Sequence, residues 1–148
     1  MSLVNNPENS LPYHLRGAFR GYEIALGRYL KRFDLPLSEF YILRLQWGAE
    51  GDPQREIAEK AFISDSVASQ VIKKMEHKGY LRRRVNPEDS RAHLVFLTAK
   101  GRLLRETIAT EGIQISSENA PDISREDMKT AIRVLDQVRK GFDLYNAP

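Results

Sequence analysis

The chain has 148 residues, 41% hydrophobic and 29% charged, with a formal net charge of +3 and no cysteine. That length suits one domain, or a compact core with attached arms, and the composition excludes wholesale disorder and collagen-like repeats. The lack of cysteine excludes disulfides, thiolate metal sites, cysteine nucleophiles and thiol redox sensing. No apolar run approaches the roughly 18 residues of a membrane span, and residues 1–12 are polar with no signal-peptide core. The expectation is a cytoplasmic protein without a membrane partner. The whole-chain charge says little until it is divided along the sequence.

The first periodic segment covers 11–33. Leu15, Ala18, Phe19, Tyr22, Leu26, Tyr29, Leu30 and Phe33 recur at helical spacing. Gly17, Gly21 and Gly27 weaken this helix, so packing on another element must support it. Gly17 and Gly21 share a face that either tolerates a weak spot or admits a close backbone or ligand. Leu35-Pro36-Leu37-Ser38 breaks the helix and offers Ser38 as the next N-cap. The following helix carries Phe40, Leu43 and Trp47 on one face and is expected to end near 48–51. Asp52-Pro53 then reads as an N-cap followed by proline at the first helical position. A short helix from Gln54 to about Ala61 turns Ile57, Ala58 and Ala61 inward.

Three residues, Phe62-Ile63-Ser64, separate it from a helix that Ser64 caps and that runs to about Lys78. Ala68, Val71, Ile72 and Met75 form its apolar stripe, and Ser66, Ser69, Gln70 and Lys73 lie on the other side. Gly79 stands where a C′ glycine belongs. The period then changes. Residues 80–85 and 92–97 read as strands around the turn cluster Asn86-Pro87-Glu88-Asp89-Ser90. Thr98 caps a helix over 99–117 with Leu104, Ile108 and Ile115 among its apolar positions. Asn119-Ala120-Pro121-Asp122 is a break. Ser124 with Asp127 resembles a capping box, and the last helix aligns Met128, Ala131, Ile132, Leu135, Val138, Phe142 and Tyr145.

A short helix, a tight turn and a helix with a small-polar, basic outer face follow helix-turn-helix grammar. Between positions 73 and 91 stand seven basic residues, Lys73, Lys74, Lys78, Arg82, Arg83, Arg84 and Arg91. Three acidic ones, Glu76, Glu88 and Asp89, leave a local net of +4 and −1 for the rest of the chain. Localised positive charge on a helix and hairpin is an electrostatic footprint for phosphates; a solvated charged face is the plainer alternative. Arg82, Arg83 and Arg84 alternate along a strand, so Arg83 points opposite to its neighbours and at least one of the three is structural.

These residues resemble the MarR family of bacterial transcription regulators. The resemblance rests on Ile57-Ala58, on the run from Ser66 to Leu81, and on a wing signature of the form D-x-R…L-T-x-x-G, here Asp89, Arg91, Leu97, Thr98 and Gly101. It extends over nearly the whole chain. It implies a mainly α fold with a small β-hairpin wing, a winged helix-turn-helix whose N- and C-terminal helices form a dimerisation region. The division is 1–36 for the first dimerisation helix, 37–101 for the DNA-binding domain and 102–148 for the C-terminal dimerisation helices. The broad apolar stripes at both ends agree, because one small winged-helix core cannot cover them.

The partners so expected are double-stranded operator DNA of pseudo-palindromic sequence, a second copy of the chain, and a small aromatic or phenolic effector that releases a repressor. The DNA-binding set is Ser64, Ser66, Ser69, Gln70, Lys73, Lys74, Arg84 and Arg91. Gln70 could bind adenine through N6 and N7, and Lys73 and Lys74 suit phosphates. Many family members have arginine where Gln70 stands, so their base preference does not transfer. Arg91 matches the family's wing arginine, which enters the minor groove; Asp89 orients it, or the two form an ion pair within the hairpin.

Nine of the thirteen aromatic residues lie in the first 62 positions. With Arg16 and Arg20 among them, an aromatic-lined cleft for a carboxylate or phenolate is one reading; ordinary core packing is the other. The candidate effector residues are Tyr13, His14, Arg16, Arg20, Phe40 and Trp47. No metal or cofactor is expected. His14, His77 and His93 have no metal-ligand spacing, and no nucleophile elbow, P-loop or dinucleotide fingerprint is present, which argues against an enzyme. A winged helix used only for protein interaction is the alternative.

Overall fold

The computed structural model describes the backbone of residues 7–119 and 122–145, and their side chains except Pro7, Ser90, Arg91, 112–119 and Leu144. Six α-helices and three strands follow in order among the described residues. They are α1 (Leu11–Leu30), α2 (Leu37–Leu43), β1 (Asp52–Pro53), α3 (Gln54–Lys60), α4 (Asp65–His77), β2 (Leu81–Asn86), β3 (Asp89–Leu97), α5 (Ala99–Asn119) and α6 (Arg125–Tyr145). A 3₁₀ turn, Lys31–Phe33, closes α1, and Asp34 follows in the left-handed region with φ +49°. The chain divides into two compact units, 1–107 and 108–148.

In the first unit, the core is built where helical stripes meet one face of a sheet. Leu26 and Leu30 of α1, Leu35, Ile42 and Leu43 around α2, Ile57 and Ala58 of α3, and Ala68, Val71, Ile72 and Met75 of α4 are buried. Leu81, Val95 and Leu97 complete the core from the sheet. Each fully buried aliphatic side chain of this kind contributes about 1.5–3 kcal/mol. Gly101 on the first turn of α5 has no room for a side chain: a Cβ there would fall onto the Tyr80 carbonyl oxygen and 2.7 Å from Leu97 Cδ1. The glycine of the wing signature therefore lets α5 cross the start of β2 in close contact.

Several local expectations are corrected. Pro36, not Ser38, is the N-cap of α2. That helix ends at Leu43 rather than near 48–51, and Trp47 lies beyond it, donating its indole N–H to the Leu43 carbonyl at 3.4 Å. Pro53, not Asp52, is the N-cap of α3, and Asp52 opens no helix. The two residues also form β1, which pairs antiparallel with β3 as Asp52↔Val95 and Pro53↔Leu94. The sheet is thus three-stranded, in the order β1-β3-β2. The buried Asp52 carboxylate accepts from the Gly48 N–H at 2.9 Å and from Lys60 Nζ at 3.1 Å. Its hydrogen bond to Lys60 raises that amine's pKa.

The expected long turn of the wing is only two residues. Asn86 pairs with Asp89, and Glu88 N–H donates to Asn86 Oδ1 at 3.0 Å, an Asx-type closure. A register irregularity separates Val85 from Asn86.

The second unit holds the later turns of α5 and all of α6. Ser124 Oγ accepts from Asp127 N–H at 3.0 Å and donates to its carboxylate at 2.5 Å, the capping box expected of that pair. Asp136 sits between Arg139 and Lys140, and bonds from the lysine first and the arginine second lower its pKa. The stripe of α6 is not covered: Met128, Ile132, Leu135, Phe142 and Tyr145 are all exposed. Residues 120–121 of the expected break and the Ile115 side chain lie outside the described residues. No described helix is long and apolar enough to cross a membrane.

Candidate nucleic-acid interface

Helix α4 is held at both ends by local chemistry. At its start the Ser64 hydroxyl accepts from Val67 N–H at 3.4 Å and lies 3.0 Å from Ser66 Oγ. At its end Gly79, with φ +77°, donates its N–H to Glu76 O, and Tyr80 N–H reaches Met75 O, both at 2.9 Å. That is a Schellman closure, and it satisfies the orphan carbonyls of the last turn.

The same end is locked onto the rest of the unit. Lys78 Nζ donates to Glu39 Oε2 at 3.0 Å and to the Asp34 carbonyl at 3.1 Å. Glu39 is only 2% exposed. Thr98 Oγ1 accepts from Gly101 N–H at 3.0 Å, and its one hydrogen is shared between the Gly79 and Tyr80 carbonyls at 2.7 and 3.0 Å. Lys100 Nζ donates to the Lys78 carbonyl at 2.7 Å. Thr98 of the wing signature and Lys100, two residues on, therefore brace the C-terminal end of α4.

With its stripe buried, α4 turns the opposite side outward. Counting 100° per residue, Ser66, Gln70, Lys73 and His77 lie opposite the buried residues, and all four are exposed. Lys74 is exposed at one margin of this face, and Ser69 is half-buried at the other. Of the sequence-based set, Ser64, Ser66, Gln70, Lys73 and Lys74 thus share one accessible helix. His77 was missed by sequence reasoning; it extends the i, i+4, i+7 series by one more step. Asp65 and Val67, exposed in the first turn, were also missed, since an acid and an aliphatic residue carry no electrostatic signal for phosphates.

The wing divides its arginines. Arg83 faces α4 and holds Glu76 Oε2 with Nη2 and Nε at 2.7 Å. It is the structural member of the triplet. Arg82 and Arg84 lie on the other sheet face, their guanidinium carbons 5.0 and 5.6 Å from the Phe96 ring centroid. Arg84 is therefore exposed but not on the side of the sheet that meets α4. These two arginines, Phe96, Leu94, Val85, Pro87, Ala49 and Glu50 border a surface cavity of about 460 Å³. The local charge of +4 is partly spent inside the protein, since Lys78 and Arg83 are each paired with a carboxylate. Asp89 is exposed at the start of β3, and the Arg91 side chain lies outside the described residues.

The proposed effector residues fall in separate local contacts. Tyr13 and His14 meet edge-to-face at 5.4 Å, and His14 Nε2 bonds to the Glu8 carbonyl at 2.5 Å. Arg16 and Arg20 are exposed on α1. Phe40 contacts the Tyr41 ring at 5.9 Å, and Trp47 bonds to Leu43. Among the described residues nothing comes within 4 Å of a Cβ built on Gly17 or Gly21. Tyr41, not singled out from sequence, ties α2 to α1 by donating its hydroxyl to Glu23 Oε1 at 3.1 Å. Burial first, and this bond second, push its pKa up to about 12. Among the described residues no group of three His, Asp or Glu side chains is placed to hold a metal ion.

A capped helix pair backed by a three-stranded sheet, with the second helix's polar face outward, defines a winged helix-turn-helix protein. Residues 33–92 match the family model of the MarR family. An HTH-type transcriptional regulator of Bacillus subtilis, YdgJ, described as uncharacterized, is 30% identical over 110 residues, 74% of this chain and 67% of the relative. Among solved structures, the MepR–DNA complex of S. aureus superposes with a TM-score of 0.78 at 19% identity, over 89% of this chain and 98% of that one. CouR of Rhodococcus jostii RHA1, bound to p-coumaroyl-CoA, gives 0.78 at 21% identity, over 88% and 92%. The chain belongs to the MarR family and is a DNA-binding transcriptional regulator.

Proposed function

We propose that the protein acts in the cytoplasm as a homodimeric repressor that binds a pseudo-palindromic operator and is released by a small aromatic or phenolic effector. The observation that carries this reading is the outward face of α4, where Ser66, Gln70 and Lys73 stand exposed on a helix braced at both ends. In each half-site Gln70 reads an adenine edge, Ser64, Ser66 and Ser69 bond to base edges or phosphates, and Lys73 and Lys74 hold phosphates. Arg91 enters the minor groove with Asp89 orienting it, and Arg84 adds a phosphate contact from the wing.

Homodimerisation is supported by apolar surface that one chain leaves open. Phe19, Tyr22 and Ile24 of α1 and Ile132, Leu135 and Phe142 of α6 are exposed. A second copy is the partner that buries them. The flanking regions 1–36 and 102–148 serve dimerisation and 37–101 serves DNA. Tyr13, His14, Arg16, Arg20, Phe40 and Trp47 are the proposed effector contacts, and the p-coumaroyl-CoA bound by CouR supports the aromatic class.

Selection of bound duplexes from a random pool, followed by titration against salt, tests the reading. A two-fold site should emerge, its affinity falling steeply with salt, and Lys73→Ala should lessen that log–log slope by about 1. Recovery of no duplex overturns it. For the effector, small aromatic acids should raise the melting temperature of the dimer and weaken the recovered duplex; no stabilisation by any of them removes that part.

A further inference from the structure

The turn between α3 and α4 ends the first helix by the same closure that ends the second. Ile63 N–H bonds to Ala58 O at 3.0 Å and Phe62 N–H to Glu59 O at 3.1 Å, matching the Tyr80 and Gly79 bonds after α4. The residue at the left-handed position differs. After α4 it is Gly79, which adopts positive φ without a steric penalty. After α3 it is Phe62, at φ +56°, where a Cβ crowds the backbone. Its ring does not recover that cost by packing, because Phe62 is 74% exposed.

A residue unfavourable in both backbone and solvation stands two positions before the N-cap of the recognition helix. Ser64, Asp65, Ser66 and Val67 are exposed beside it in the sequence. The N-terminal residues of such a helix are those that meet base edges in the major groove. Residues 62–67 include no cation, so phosphate neutralisation is not their chemistry. Apolar groups offered to the major groove find one apolar partner on the bases, the C5-methyl of thymine.

We infer that Phe62 is a specificity-determining DNA contact, whose ring packs on a thymine methyl at the edge of each half-site. The inference rests on the operator-binding reading above. The strained turn holds the aromatic side chain outward, and duplex binding supplies the burial that the free protein lacks. Specificity for thymine over cytosine or uracil at that position then comes from the turn rather than from α4.

The test uses the full-length protein and the duplex recovered by selection. F62G removes the ring and places glycine at positive φ; F62A removes the ring and keeps a Cβ there. F62G should raise the melting temperature by a few degrees, F62A should not, and both should bind the duplex about tenfold more weakly than wild type. Each thymine of one half-site is then replaced in turn by deoxyuridine. At one position wild type should lose about fourfold in affinity, as expected for one buried methyl, while both variants are indifferent to it. Opposite signs for stability and affinity in F62G separate a contact from a structural role, which would move both downward. Equal binding by the variants and wild type overturns the inference, as does a half-site in which no thymine methyl distinguishes them. If wild-type protein recovers no duplex, the operator-binding reading falls first; if it binds and the variants bind as well, only the role of Phe62 falls.

Discussion

The winged-helix core and the flanking helices spend their apolar residues differently. In the first, Ile42, Ile57, Ile72, Met75 and Val95 are sealed from solvent within one chain. On α6, residues of the same chemistry at the same helical spacing stay in water, with Ile132 61% exposed. A periodic apolar stripe thus states that a face will be covered, not by what. Where helical stripes meet a sheet within one unit, the chain covers itself; the stripe of α6 stays exposed.

Substitutions in the sealed core and on the exposed stripe should behave differently. Ile72→Ala should leave a cavity in the sealed core and cost about 2–5 kcal/mol, read by urea unfolding of the full chain. A cost below 1 kcal/mol would mean the core is less closed than it looks. Lys78→Met, which leaves the Glu39 carboxylate buried without its cation, should cost about 2–3 kcal/mol, below the cost of breaking a fully buried pair because Lys78 keeps some water contact. The same measurement on Lys78→Arg should recover part of it. On the exposed side, Ile132→Asp should leave helix content unchanged in circular dichroism. Sedimentation should show the proposed dimer weakened at least tenfold, about 1.4 kcal/mol. Unaltered association would remove α6 from the interface.

The smallest effect belongs to the tie between α1 and α2. Tyr41→Phe deletes the bond to Glu23 and should cost about 1 kcal/mol. The phenol's pKa is raised from 10.0 to about 12 in the folded chain. Its contribution is therefore complete below pH 10 and is lost as pH rises toward 12, because the unfolded chain releases that proton first. The wild-type-minus-variant difference in stability should shrink across that window and stay flat from pH 7 to 9.

Helix α4 was legible residue by residue because its determinants are neighbours. Ser64 caps it, Ala68, Val71, Ile72 and Met75 form its stripe and Gly79 ends it, all within one short segment. The wing signature was legible as a pattern, but its reason was not. Only the packed structure shows that Thr98 braces the end of α4 and that Gly101 is required by the Tyr80 carbonyl. Asp52-Pro53 misled for the same reason. Its local chemistry is that of a helix start, and Pro53 does cap α3, yet the edge of β3, some forty residues later, also takes the pair as a strand. The arginines could be sorted by strand parity into two faces. Which face held a carboxylate depended on where Glu76 came to lie.

Residue spacing alone carried the helix-turn-helix, the caps of α4, its outward polar face and the family, because these follow from periodicity and short-range hydrogen bonding. The tertiary structure decided which charges remain available for DNA, that the sheet has a third strand, and that Phe62 holds an exposed ring at positive φ. Ion pairing and strand addition join groups whose separation in space no spacing along the chain records, and the closure at Phe62 breaks the usual preference for glycine at positive φ.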